Sequence, residues 1–350
     1  MRLTDLASQP GEWLRGTGAD GDIVISTRIR LARNVLGYPF VTRLQPEQQA
    51  DLAHTLSGHI VEDGIVPDAC YFDLKGARDL ERRLLVERHL ISKEHEEAEG
   101  DRGVAVQASE AVSIMINEED HLRIQVLRSG FELDPAWDTI NRIDSALSEE
   151  VPYAYSERLG FLTACPTNVG TGMRASVMLH LPALEMTKQI EKVFHAVAKI
   201  NLAVRGLYGE GTQASGNFYQ ISNQITLGKT EEEILKEIRA VIPEIVENER
   251  RARQAILERN RPQLEDRVWR AYGMLRAARI ISSSETMALL SHLRLGVNLR
   301  VIENLDIAAI NQLFVQTLPA HLQVLEGRDL DPQTRDVARA TYIRRSLGDI

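Results

Sequence analysis

Between Ala111 and Leu127, apolar and polar residues alternate in two runs separated by a short acidic turn. Val112, Ile114 and Ile116 alternate with Ser113, Met115 and Asn117, and Leu122, Ile124 and Val126 alternate with Arg123 and Gln125. A period of two puts one face of a strand into a core and leaves the other for solvent or a site. Joined by Asn117-Glu118-Glu119-Asp120-His121, the runs predict a β-hairpin with three carboxylates at its tip. Such a hairpin commits this part of the chain to an antiparallel sheet. Further strands are expected at 22–26, 159–164, 175–181 and 218–226, and helices at 46–59, 79–91, from Asp134 onward and at 182–200. After Thr230 the apolar period becomes that of a helix. Helices are expected at 231–260 with a bend at Pro243, then at 263–279, 285–293, 306–318 and 331–347. The expectation is therefore an α+β domain over 1–260, an antiparallel sheet flanked by helices, followed by an all-helical C-terminal domain over 261–350.

Several function classes are excluded or disfavoured. The net charge of −9 does not favour nonspecific binding of nucleic acid. Two cysteines make no disulfide framework and suit a reducing cytoplasm. The first residues lack an apolar signal core, and with no run of about 18 apolar residues nothing is expected to span a membrane. Neither a GxxxxGK[ST] loop nor the V-A-I-K, H-R-D and D-F-G set is present. The histidines and cysteines lack zinc-ligand spacing, and no metal site is expected in the protein.

The remaining candidates centre on arginine. The loop from Cys165 to Val177 holds Gly170, Gly172, two threonines, an asparagine and Arg174. Glycine-rich loops of this kind turn backbone N–H groups toward an anion. Arg28 and Arg30 lie two apart on an extended stretch, so they point the same way, while Ile29 and Leu31 take the other face. Arg88 and His89 face either water, the simpler reading, or a site. Arg28, Arg30, Arg123, Arg174 and Arg205 each sit at a strand end or in a glycine-rich loop. With Glu119 and Glu210 beside them, they suggest a polyphosphate held by arginines.

Four ordered motifs carry a resemblance: Ser26-Thr-Arg-Ile-Arg30, Asn117-Glu-Glu-Asp-His-Leu-Arg123, Cys165-Pro-Thr-Asn-Val-Gly-Thr171 with Arg174-Ala-Ser, and Arg205-Gly-Leu-Tyr-Gly-Glu210 with Ile221-Ser-Asn223. Over roughly residues 20–255 the chain resembles the phosphagen (guanidino) kinase family. The resemblance implies ATP, with Mg²⁺ bound through the nucleotide, held by Ser26, Thr27, Arg28, Ile29, Arg30, His89, Arg123, Arg174, Ala175, Ser176, Val177, Met178, Arg205, Gly206, Leu207, Tyr208, Gly209 and Glu210. It implies Glu119 first and Glu210 second as the carboxylate that aligns the guanidinium and takes its proton. Cys165 would lie beside the acceptor and orient it.

Tyr208 stands where the family usually has a phosphate-contacting arginine, and Gln213 where it has a substrate glutamate. Both departures, and the short stretch before Ser26, point away from a free amino acid and toward an open site for arginine on a protein. Within the family, Arg335-Asp336-Val-Ala-Arg339-Ala340 resembles a phosphoarginine-binding motif, with Arg335, Asp336 and Arg339 as the contacts. The resemblance also implies a homodimer, phosphoarginine as an allosteric ligand, an activator protein and a Clp protease system as partners, and roles in stress response and protein quality control. A kinase of a free small guanidine and a non-catalytic phosphoarginine-binding adaptor are the alternatives.

Overall fold

A computed structural model describes residues 3–206 and 215–348. In chain order the strands are β1 (Val24–Arg33), β2 (Ala69–Asp73), β3 (Gly103–Gln107), β4 (Val112–Ile116), β5 (Leu122–Ser129), β6 (Tyr155–Ser156), β7 (Gly160–Phe161), β8 (Met173–His180), β9 (Leu202–Gly206) and β10 (Phe218–Asn223). The helices are α1 (Leu3–Leu6), α2 (Pro46–Ser57), α3 (Asp79–Glu87), α4 (Lys93–Glu97), α5 (Leu133–Glu150), α6 (Pro182–Met186), α7 (Ile190–Ala198), α8 (Glu231–Ala277), α9 (Ser283–Asn298), α10 (Ile307–Gln316), α11 (Pro319–Glu326) and α12 (Pro332–Leu347). Eight strands form one sheet in the order β2-β3-β4-β5-β1-β8-β10-β9, with antiparallel pairing throughout. The architecture is the expected antiparallel sheet with flanking helices and a helical C-terminal region. Among the described residues, no helix is long and apolar enough to cross a membrane.

The hairpin of β4 and β5 forms as its alternation predicts. Register then extends the alternation across the sheet. Ile29 pairs with Val126 and Ala175, and Leu31 with Ile124 and Met173. This face is sealed from water and covered by α5, which lies across β1 and β5. On it, Arg33 is buried and grips Asp144 of α5 through Nε and Nη2 at 3.1 and 2.8 Å. Its Nη1 donates to the carbonyls of Ala32 and Thr171, both at 2.9 Å. One arginine thus fixes the glycine loop against β1.

Some elements differ from expectation. The 182–200 helix is two helices, α6 and α7, because Lys188 takes a left-handed backbone at φ 56° between them. Helix 79–91 stops at Glu87. The highly charged stretch that follows contains α4 and the buried His95 and Arg102. The 159–164 run forms only the short β7, paired with β6 in a small separate sheet and bridged from Phe161 to Gly170. Helix α8 runs past the expected break, with non-helical geometry at Asn260 (φ −139°, ψ 34°), where Pro262 removes a donor and disfavours α geometry just before it.

The C-terminal helices dock through buried polar groups. Arg294 of α9 donates to the carbonyls of Gly21 (2.7 Å) and Asp22 (2.9 Å) and to Asn311 Oδ1 (3.0 Å).

Gly172 sets up the β8 entrance at φ +62°, and a Cβ there would lie 2.6 Å from the Ala32 carbonyl oxygen. Left-handed geometry and this backbone clash act together. Gly172→Ala is expected to lower unfolding stability by about 2–4 kcal/mol in urea denaturation. A loss below about 0.5 kcal/mol would contradict this packing.

Candidate active site

The face of the sheet opposite α5 is polar. Reading the registers across it, Arg28 lies opposite Ser176 and Leu127, Arg30 opposite Arg174 and Gln125, and Ala32 opposite Arg123. Gln220 of β10 lies opposite Met178 and Arg205. Four strands, β1, β5, β8 and β9, therefore deliver Arg28, Arg30, Arg123, Arg174 and Arg205 to one surface. They line a cavity of about 750 Å³ together with Ser26, His89, Ser176, Met178 and Gly206.

The same period turns the side chains of some expected residues away from the cavity. Thr27, Ile29, Ala175 and Val177 are buried and turn their side chains to the other face. Thr27 Oγ1 donates to the Gly130 carbonyl at 2.8 Å. The cavity is built from alternate residues of the Ser26–Arg30 and Arg174–Met178 motifs. Leu207, Tyr208, Gly209, Glu210 and Gln213 lie outside the described residues.

Like charges set directly across a strand pair repel. Arg28 Nη2 donates to Gln220 Oε1 at 2.6 Å, and Arg174 Nη2 to Ser222 Oγ at 3.2 Å. These neutral partners orient the guanidinium groups without cancelling their charge. Burial, with Arg123 and Arg174 nearby, pushes Arg28 down to about 9, and burial with the same neighbours and Arg28 lowers Arg30 strongly. A guanidinium does not release its proton in such a setting. An incoming polyanion, for which the arginine forks are suited, would relieve the repulsion. His89 is held neutral by burial and by Arg28, pushed down to about 3.

The hairpin tip divides its three carboxylates among three tasks. Glu118 is buried and meets Arg123 Nη1 at 2.6 Å, Ser92 Oγ and the Glu119 N–H. Despite burial, Arg123 draws Glu118 down to about 2, and Glu118 in turn raises Arg123. Asp120 is also buried and accepts from Asn34 Nδ2 (2.6 Å) and the Ala164 N–H (2.7 Å). It fastens the Cys165 loop and the end of β1 to the tip. Only Glu119 is exposed. Its pKa is raised by partial burial and then by Asp120 and Glu118, against Arg123. Glu119 is not part of the cavity lining but lies within electrostatic reach of Arg123 and Glu94, which are. Asn168 Nδ2 of the Cys165 loop approaches Glu119 Oε2 at 3.5 Å, and Cys165 Sγ lies 3.0 Å from Thr167 Oγ1. Cys165 thus sits on the loop that reaches Glu119, and neither residue lines the arginine cavity.

Sequence reasoning missed Glu118, Gln220 and Ser222 as supports of the arginines. The two-residue period of their strands was the available signal. It also left Arg88 facing water or a site, whereas Arg88 is buried and paired with Glu110.

The surroundings of the C-terminal motif differ from a free two-arginine grip. Arg339 is buried, and its Nε donates to the Thr317 carbonyl (2.8 Å) and its Nη1 to the Ile281 carbonyl (2.9 Å) and to Asp336. Arg335 and Asp336 are partly exposed one turn earlier on α12.

Residues 64–252 match the model of the ATP:guanido phosphotransferase C-terminal catalytic domain, and residues 261–350 match the protein-arginine kinase McsB C-terminal domain. The chain belongs to the ATP:guanido phosphotransferase family. It is 46% identical to a protein-arginine kinase of Desulforamulus reducens, covering 100% of this chain and 99% of the relative. A protein-arginine kinase of Bacillus subtilis is 44% identical over 96% of this chain and 93% of its own. Among solved structures, a lombricine kinase superposes with a TM-score of 0.59 at 25% identity, over 69% of this chain and 72% of that one. A duplicated taurocyamine kinase from Schistosoma mansoni, with bound transition-state analogue components, gives 0.60 at 29% identity over 71% of this chain and 36% of that one.

If this guanidino-kinase cavity takes the phosphates, its two sheet faces must respond differently. Arg174→Ala is expected to weaken ATP binding by about tenfold or more, the loss of a charge-assisted contact. Ile29→Val, on the covered face one position from Arg28, should leave ATP affinity unchanged. Calorimetry with both variants checks this, and a wild-type affinity for Arg174→Ala would contradict the cage.

Proposed function

We propose that this chain transfers the γ-phosphoryl group of ATP to a guanidinium nitrogen of arginine side chains in proteins. The observation that carries this reading is the juxtaposition of five arginines on one sheet face with Glu119, the one exposed carboxylate of the hairpin tip, beside their cavity. The full-length similarity to protein-arginine kinases supports the choice of a protein acceptor. The arginines hold the nucleotide phosphates and neutralise charge that spreads over the moving phosphoryl group. Mg²⁺ would arrive with the nucleotide and supply further charge neutralisation. Among the described residues, no group of three or more His, Cys, Asp or Glu converges as a metal site.

The acceptor side follows from protonation. A guanidinium carries no lone pair for attack while fully protonated. Glu119 would align it by paired hydrogen bonds and take one proton as the N–P bond forms and the bond from phosphorus to the ADP oxygen breaks. The raised pKa of Glu119 makes it a better proton acceptor than Glu118, which Arg123 holds ionised. Cys165, on the neighbouring loop, would help to orient the guanidinium. Glu210 keeps its place as the second candidate carboxylate.

Glu119→Gln is expected to abolish transfer while leaving ATP binding nearly intact. In the wild-type chain, kcat/KM should fall as pH drops through the pKa of Glu119, because only its ionised form accepts a proton. That acid limb should lie above the ordinary glutamate value of 4.5. Mass spectrometry after incubation with ATP, an unfolded protein and free arginine identifies the acceptor. Phosphorylation of free arginine alone would favour the small-guanidine alternative, and no transfer to either would favour a binding protein.

The helical 261–350 segment would act as a distinct domain that binds phosphoarginine and pairs two copies of the chain. Arg335 would meet the phosphoryl group and Asp336 the guanidinium, with Arg339 anchoring α12 beneath them. Calorimetry with free phosphoarginine should register binding to the full chain and its loss in Arg335→Ala. Equal affinity in both would remove α12 from this role.

A further inference from the structure

Part of one wall of the arginine-lined cavity comes from the C-terminal helices. Pro319, the first residue of α11, lines it beside Glu87 and His89. Behind this wall the polar groups form a continuous chain. The Glu87 carboxylate accepts from the N–H groups of Ala320 (2.8 Å) and His321 (3.0 Å) and from His321 Nδ1 (2.8 Å). His321 Nε2 lies 3.2 Å from Nη1 of Arg88. Arg88 Nε donates to Glu110 Oε2 at 2.9 Å and Nη2 to the Gln9 carbonyl at 2.9 Å. His321, Arg88 and Glu110 are each buried.

The tautomer follows from these partners. A guanidinium only donates, so Nε2 of His321 must accept, and Nδ1 carries the proton given to Glu87. Burial keeps the imidazole below its usual pKa, in agreement with a neutral ring.

The next residue along the chain is His89, which lines the cavity at a backbone φ of 59°. A residue with a side chain takes that left-handed geometry at a cost, and keeps it when the surroundings over-determine it. Gln125 Nε2 holds the His89 carbonyl at 2.7 Å. On the N-terminal side, the two residues before His89 are the two that His321 joins. A residue of α11 therefore clamps the strained segment from behind.

We propose that His321 is a positioning residue for the nucleotide: by bridging Glu87 and Arg88 it holds His89 against the cavity, so that docking of the C-terminal helices sets the affinity for ATP. The inference rests on the reading of this cavity as the ATP site. Its readout is nucleotide binding alone, independent of which guanidine is the acceptor.

The test is a double-mutant cycle in the full chain, with Mg·ATP affinity measured by calorimetry and thermal melting followed in parallel. His321→Ala is expected to weaken Mg·ATP binding about tenfold, as for one lost hydrogen bond to a charged group. His321→Gln returns an acceptor toward Arg88 and should recover most of that loss. His89→Ala should weaken binding too, and His89→Ala/His321→Ala should bind no more weakly than His89→Ala alone, because His321 acts through His89. Losses that add in the double variant, or wild-type affinity in a folded His321→Ala chain, would overturn the proposal. Should His321→Ala not fold, Glu87→Gln takes its place in the same cycle with the same expected non-additivity. Failure of the wild-type chain to bind Mg·ATP would instead sink the reading of the cavity.

Discussion

Repulsion among arginines on one sheet face is the constraint around which this molecule is arranged. Arg30 and Arg174 occupy directly opposed positions on neighbouring strands, with Arg28 and Arg123 on the same surface. Such an arrangement costs stability unless the rest of the fold holds the strands in place. The opposite face supplies that hold, with Ile29, Leu31, Ile124, Ala175 and Val177 sealed beneath α5 and its neighbours. Arg33 adds to it from the covered side, tying β1, α5 and the glycine loop through one guanidinium. Hydrophobic burial on one side of the sheet thus stabilises concentrated charge on the other.

The hairpin tip shows how a shared stretch of sequence yields separate chemical tasks. Glu118 and Glu119 are adjacent, yet their environments drive their proton affinities apart, the first to about 2 beside Arg123 and the second upward among carboxylates. Divergent titration of neighbouring acids is a common mark of divided labour in an active site. Asp120 serves neither end directly. By accepting from Asn34 and Ala164 it joins β1, the tip and the Cys165 loop, which is what brings Cys165 near Glu119.

Much of this was legible from residue spacing, because strands repeat every two residues. Alternation placed the β4–β5 hairpin, and the Arg28–Arg30 spacing predicted a common direction for both side chains. Motif reading was blunter. It gathered Thr27, Ile29, Ala175 and Val177 with the arginines, although the same period turns their side chains to the covered face. Turns decided by a single left-handed residue escaped notice, as at Lys188 between α6 and α7. Long-range buried pairing escaped notice as well. Arg88 looked like a surface cation, because nothing local tells that Glu110 and His321 close around it. Arg339 likewise belonged to a ligand-binding motif in sequence, while its surroundings are carbonyls from two other segments.

The central claim is that phosphates and guanidinium meet between the arginine-lined sheet face and Glu119. A crystal structure of the chain with Mg·ADP, nitrate and an arginine-containing peptide tests it most directly. The account predicts the diphosphate on Arg28, Arg30, Arg123, Arg174 and Arg205, nitrate between it and the peptide, and the peptide guanidinium on the Glu119 carboxylate. A nucleotide bound away from these arginines, or a guanidinium placed without contact to Glu119, would contradict it.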